Sequence, residues 1–155
     1  DRNRERIMYF PLFVDLSKKN ILVVGAGTIA ARRIRTLCGF AGSITVCAPR
    51  IQPEIRELSE EYPVRFVEAC YAPELLEAAD LVLAATDDRE LNREIVLAAK
   101  AKHIPANSCS EKELCDFYFP SIVTKDELVI GLTASGTDHG LVKRTRIELE
   151  EYLRK

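Results

Sequence analysis

The sequence has no tryptophan, one methionine and only two histidines, His103 and His139. Two imidazoles cannot build a histidine-rich metal cage. Cysteine is present but unpatterned: Cys38, Cys47, Cys70, Cys109 and Cys115 are odd in number and form no Cys-x-x-Cys pair. That argues against a disulfide framework and against a structural zinc site. For Cys109 and Cys115 a shared metal is weighed against buried free thiols, and the free thiols are preferred. Neither sign of charge dominates, with 22 Lys and Arg against 24 Asp and Glu for a net −2. No overall field therefore draws the chain to nucleic acid or to an acidic membrane. No apolar run approaches the roughly 20 residues that cross a bilayer, and the opening, Asp1 to Met8, is too charged for a secretory signal. These absences give the expectation of a cytoplasmic protein with no bound metal, no nucleic-acid partner and no membrane.

What remains is the composition of a globular chain, 47% hydrophobic and 30% charged over 155 residues, long enough to bury a core without staples. Ile21 to Val24 is a continuous apolar run, as a strand covered on both faces requires. Thr28 to Phe40 follows as an amphipathic helix, with Ile29, Ala30, Ile34, Leu37 and Cys38 on one side and Arg32, Arg33 and Arg35 mostly on the other. Ser43 to Cys47 is the next strand and Gln52 to Glu61 the next helix. Val64 to Val67 alternates like a more exposed strand, and Leu81 to Ala85 is again buried. A long helix from Asp87 to about Lys102 is expected, with Thr86 or Asp87 as its N-cap. Ile104 to Asn107 is a fifth short strand. Strands alternating with helices across short connections imply a parallel sheet covered on both faces. After Phe117 the pattern changes to a hairpin around Thr124 to Glu127, a polar loop from Ala134 to His139 and a final helix from about Leu141 to Leu153. Leu141, Val142, Ile147, Leu149 and Leu153 make that helix apolar on one side, and a second copy of the chain is the expected cover. The expected organisation is α/β: a Rossmann-like parallel sheet over residues 1–120, then a dimerisation hairpin and helix over residues 121–155.

Val24 to Ala30 spells G-x-G-x-x-A between a strand and a helix. Gly25 permits the tight turn, Gly27 presents no side chain to an approaching pyrophosphate, and Ala30 lets the helix pack on the sheet. The free amides of the first helical turn, with the helix dipole, then hold phosphate charge. Thr28 and Ile29 supply those amides. A bare glycine pattern also makes ordinary turns, but strand, turn, helix and second strand all fall where a dinucleotide site needs them. The acid that often ends the second strand and binds the ribose is missing, because the position reads Cys47-Ala48-Pro49-Arg50. Backbone atoms of Ala48 and Pro49 are the alternative partners. Arg50 either lies over the adenine, meets a 2′-phosphate or is a solvated strand-end arginine. Thr86 and Asp87 end the fourth strand, so they border the cofactor, cap a helix, or do both.

Together, these residues form a longer series. Pro11 to Leu16 precedes Val23 to Gly27; Ala30, Arg32 and Arg33 follow, then Ala84 to Asp88, Asn92, Asn107, Phe117-x-x-Pro120-Ser121 and Ser135 to Thr137. The series resembles the precorrin-2 dehydrogenases, the N-terminal module of siroheme synthases, a family that includes bifunctional dehydrogenase–ferrochelatases. The likeness runs from about Tyr9 to Lys155, and longer members continue past that point. It implies an NAD-dependent oxidation of precorrin-2 to sirohydrochlorin by a homodimer, on the way to siroheme or cobalamin. Carried over by position, Gly25, Gly27, Thr28, Ile29, Pro49 and Arg50 contact the dinucleotide, while Thr86 and Asn107 border the nicotinamide.

One departure bears on the chemistry. Three residues after Asn107 the family commonly places an aspartate, assigned as general base and metal-handling group; this chain has Ser110. A serine hydroxyl near neutral pH is neither a useful base nor a strong ligand for a hard cation. Glu111, Glu113 or Asp116 are candidate substitutes, or a water or substrate carboxylate takes the proton. Metal insertion is the activity most weakened. The loop from Ala134 to His139 departs too, and His139 is either a base, an axial ligand or an exposed polar residue. Against the enzyme stand a non-catalytic module binding a dinucleotide or tetrapyrrole, and an oxidoreductase of another substrate on the same fold.

Overall fold

In the computed structural model, which describes residues 8–155, Asn20–Val24 forms the first strand, β1, and its four apolar residues are at most 2% exposed. The charged opening segment, residues 1–7, lies outside the described residues. Chain contacts divide the protein into two units: residues 14–117, and residues 8–13 with 118–155.

In the first unit, β1, β2 (Ser43–Cys47), β3 (Val64–Val67), β4 (Leu81–Ala84) and β5 (Ala106–Ser108) form one parallel sheet in the order β3-β2-β1-β4-β5. Central β1 and β4 are the apolar runs, whereas edge strand β3 alternates a buried Val64 with an exposed Arg65. Burying each large aliphatic side chain contributes roughly 1.5–3 kcal/mol, and Val23, Ile44, Val46, Val82 and Leu83 are fully buried. Helices α1 (Thr28–Leu37) and α3 (Arg89–Ala101) close over the sheet through Ala30 and Ile34, and through Ile95, Val96 and Ala99. β1 lies between β2 and β4, so the winding reverses between β1 and β4, the point where such sheets open a crevice at the carboxyl ends of their strands.

Several boundaries differ from the sequence expectation, and four in this unit have a plain local reason. α1 stops at Leu37 because the amides of Phe40 and Ala41 both turn back to the Leu37 carbonyl, bringing Gly42 against Leu16. A Cβ on Gly42 would lie 2.6 Å from the Ser17 carbonyl oxygen. The helix expected over 52–61 is one turn, α2 (Pro53–Arg56), followed by a 3₁₀ turn, Glu57–Glu60. The Ser59 hydroxyl donates to the Arg56 carbonyl, and acids crowd the negative end of the dipole. β5 begins at Ala106, two residues late, because His103 takes a left-handed φ of 58° to end α3. The N-cap of α3 is Asp88, not Thr86 or Asp87: its carboxylate accepts from the amides of Glu90 and Leu91 at 3.0 and 3.1 Å.

The second unit holds the antiparallel hairpin β6 (Ser121–Lys125) and β7 (Leu128–Leu132), with helix α4 (His139–Leu153). The turn is tighter than expected, Asp126 and Glu127 alone, with Asp126 at φ 51°. The ammonium of Lys125 donates to the Leu153 carbonyl, satisfying an open acceptor at the end of α4. Among the described residues no helix is long and apolar enough to cross a membrane.

A candidate dinucleotide crevice

Three strand exits build the site. After β1, the Gly25 amide donates to the Cys47 carbonyl at 2.8 Å; after β4, the Ala85 amide donates to the Val24 carbonyl at 2.8 Å; after β5, the Cys109 amide donates to the Ala84 carbonyl at 3.0 Å. The ladder thus runs one residue past each strand, and the turns that follow emerge at one end of the sheet. Gly25 has φ +118°, and a Cβ on it would stand 2.2 Å from the Ala85 carbonyl oxygen. Its glycine is required by the neighbouring turn as well as by its own backbone. Gly27 differs: its φ is −82°, and no atom lies within 4 Å of where its Cβ would be. The space in front of Gly27 is open.

α1 starts at this opening without a side-chain cap and without an acid in its first turn. The starts of α3 and α4 are instead closed by Asp88 and Asp138. The first amides of α1, at exposed Thr28 and Ile29, are therefore available to an anionic ligand, with the helix dipole favouring phosphate. Beside them β2 ends at Cys47, followed by buried Ala48 and exposed Pro49 and Arg50. Burial raises the Cys47 thiol above its ordinary value, reinforced by Cys70, so Cys47 stays a neutral core residue.

On the other side of the crevice, Thr86 is half-buried and Asp87 exposed. The Thr86 hydroxyl is 2.7 Å from Asn92 Oδ1 and accepts the Asp88 amide at 3.1 Å. Ser110, just past β5, accepts from Asn92 Nδ2 at 3.0 Å and lies 3.2 Å from the Ser108 hydroxyl. Asn107, only 3% exposed, is held at both ends of its amide. Its oxygen accepts from Arg33 at 2.6 Å and its nitrogen donates to the Phe117 carbonyl at 2.8 Å. The structure thus brings the Gly25–Ile29 turn, Ala48 to Arg50, Thr86, Asp87 and Ser110 to the carboxyl end of one sheet, with Asn107 in the strand below. His139 belongs to the other unit, where it is the exposed first residue of α4 rather than part of the preceding loop.

The carboxylates considered as replacements for the missing aspartate are mostly engaged. Glu111 pairs with Arg93. Asp116 accepts the Ala106 amide at 2.9 Å and faces Lys100 at 3.6 Å. Glu113 is exposed. Around them the segment after β5 folds back to cover that strand's open edge. The Cys115 sulfur accepts the Ser108 amide at 3.2 Å and donates to the Ser108 carbonyl at 3.2 Å, while Asp116 exchanges bonds with Ala106. Burial raises the Cys115 thiol and the bond from the Ser108 amide opposes it. Cys109 and Cys115 are free, partly buried thiols, and among the described residues no group of three or more His, Cys, Asp or Glu is placed to hold a metal ion.

Two participants stand in the residue series of the sequence analysis without a role in the site. Arg33 was placed with the polar side of its helix, yet it reaches Asn107. Asn92 carried no role, although an asparagine aligned at helical spacing with Ile95, Val96 and Ala99 is the signal that marks it.

A glycine turn at the switch point of a parallel sheet, facing an uncapped helix, defines a dinucleotide-binding domain. The chain belongs to the family described as "Putative NAD(P)-binding", whose profile matches residues 12–121. Its cofactor class is therefore a nicotinamide dinucleotide. Among sequence relatives, a protein of Ruminiclostridium josui named "Probable multifunctional siroheme biosynthesis protein HemA" is 41% identical, covering 94% of this chain and 28% of its own length. The siroheme synthase of Zymomonas mobilis is 37% identical, covering 94% of this chain and 31% of its own length. The chain thus spans under a third of the curated relatives it matches. Among solved structures, SirC, a precorrin-2 dehydrogenase, superposes with a TM-score of 0.77 at 26% identity, covering 94% of this chain and 74% of that one. The resemblance drawn from the residue series holds over nearly the whole chain, and the α/β fold with a C-terminal hairpin and helix matches that structure.

Proposed function

We propose that the chain oxidises precorrin-2 to sirohydrochlorin, passing a hydride to NAD and releasing a proton. The observation that carries this reading is the convergence of the phosphate turn at Gly27 with Thr86 and Ser110 at one end of the sheet, in a chain that superposes on a precorrin-2 dehydrogenase over 94% of its length. Gly25, Gly27, Thr28 and Ile29 hold the pyrophosphate, backbone atoms of Ala48 and Pro49 with Arg50 meet the adenosine, and Thr86, Asp87 and Asn107 frame the nicotinamide end. NAD rather than NADP is the acceptor, following the family resemblance. Ser110 stays neutral, so the released proton goes to water or to a substrate carboxylate, and orientation of the hydride donor supplies most of the acceleration.

The same substitution makes metal insertion into the product weak. A non-catalytic dinucleotide- or tetrapyrrole-binding module is the second reading, favoured by one observation, the absence of a carboxylate at position 110. Two further elements belong to the proposal. The chain works as a homodimer, supported by α4, which buries none of its residues and leaves Leu141 48% and Tyr152 69% exposed. It works in the cytoplasm, supported by five free thiols, the usual state of cysteine in a reducing compartment.

Anaerobic incubation with precorrin-2 and either NAD or NADP separates these readings. The expected result is faster sirohydrochlorin formation with NAD; dinucleotide binding without turnover above the uncatalysed rate supports the module instead.

A further inference from the structure

Asn92 lies on the apolar stripe of α3 with Ile95, Val96 and Ala99, and none of its surface is exposed. An amide buried there is costly unless its donors and acceptors are matched. They are all matched. Oδ1 accepts from the Thr86 amide at 3.0 Å and the Thr86 hydroxyl at 2.7 Å. Nδ2 donates to the Thr86 carbonyl at 3.0 Å and to Ser110 Oγ at 3.0 Å, with the Cys109 sulfur farther off at 3.6 Å. Starting α3 does not require this side chain, because Asp88 already caps the helix. The bond that a helix-start role leaves unexplained is the one to Ser110.

That bond decides what Ser110 can do. The Ser110 amide donates to Ser108 Oγ at 3.2 Å, and the two hydroxyl oxygens lie 3.2 Å apart, where either can be the donor. Asn92 Nδ2 fills one lone pair of Ser110 Oγ, and when Ser108 is the donor of the second bond both lone pairs are filled from the protein side. In that arrangement the hydroxyl proton of Ser110 is left for a ligand.

We propose that Asn92 is a positioning residue for the dehydrogenation, joining Thr86 to Ser110 in one hydrogen-bonded unit and making Ser110 a donor to the tetrapyrrole. The acceptor would be an oxygen of the substrate, such as a side-chain carboxylate, and no proton is removed by Ser110. This inference rests on the precorrin-2 reading and adds to it a residue outside the dinucleotide turn.

A double-mutant cycle tests it, with Asn92→Ser, Ser110→Ala and the pair, measuring kcat at saturating NAD and, separately, the Kd for NAD. Each single change is expected to lower kcat about tenfold, with the pair no slower than the worse single variant and Kd moving by less than about threefold. Multiplying losses, wild-type kcat in Ser110→Ala, or a loss confined to Kd would each overturn the positioning role while leaving the precorrin-2 reading standing. Absence of turnover by the wild-type chain removes both. Should Asn92→Ser fail to fold, Ser110→Asp gives a readout independent of activity. With the Asn92 N–H donating to it, the new carboxylate should titrate by NMR below the ordinary aspartate value of about 3.9. A value at or above that figure means Asn92 does not reach position 110, and the proposal fails.

Discussion

At the residue scale, alanine at Gly25 and alanine at Gly27 are expected to fail in different assays. At Gly25 the new methyl group would meet the Ala85 carbonyl at 2.2 Å with φ at +118°. That overlap and backbone strain should cost several kcal/mol, on the scale of an overpacked core, and lower the thermal midpoint. At Gly27 the methyl group enters open space at an ordinary φ, so the midpoint should hardly move. Affinity for the dinucleotide should instead fall by about tenfold or more, because the methyl group occupies the path of the pyrophosphate. Calorimetric binding beside a thermal melt distinguishes the two, and equal behaviour of the variants would contradict the assignment. The motif made both glycines legible in the sequence. The contact of Gly25 with the exit of β4 was not, since it joins positions sixty residues apart through sheet register. The same limit hid the contacts of Asn92 and Arg33, whose partners lie in other elements.

At the element scale, the buried strands were visible as apolar runs, because a parallel strand covered on both faces leaves little room for polar residues. Helix ends were less legible, since side chains compete for the same amides. Thr86 looked like a cap for α3, but its hydroxyl is drawn to Asn92 and the capping falls to Asp88. Asp88→Ala should therefore cost about 1 kcal/mol, the usual value of an N-cap carboxylate, while Asp87→Ala should leave stability within about 0.5 kcal/mol as an exposed surface change. Urea denaturation of the two variants checks this, and a larger loss at Asp87 would return the cap to the sequence expectation. His139 shows the same limit. The loop expected to contain it ends one residue earlier, because the Asp138 carboxylate accepts the Leu141 amide at 2.9 Å and starts α4 there.

At the scale of the whole molecule, fold and cofactor class were readable from the order of the elements and the glycine turn. The acid missing after β2 and the serine at 110 left the adenosine contacts and the proton's destination to geometry. α4 exposes Leu141, Ile147 and Tyr152, and residues 8–13 expose Met8, Phe10, Leu12 and Phe13, apolar surface that a second copy would cover. Sedimentation equilibrium should give twice the chain mass at micromolar concentration, and Leu141→Glu with Ile147→Glu should return the monomer. A monomeric wild type would set the dimer aside. The central claim is hydride transfer between a tetrapyrrole and the dinucleotide held at Gly27. The most direct measurement is an anaerobic single turnover with protein in excess over precorrin-2, following NADH and sirohydrochlorin absorbance together. Equal amounts of the two products, formed with one rate constant and lost in Gly27→Ala, are predicted. Sirohydrochlorin appearing without NADH, or neither product appearing while NAD remains bound, would contradict the account.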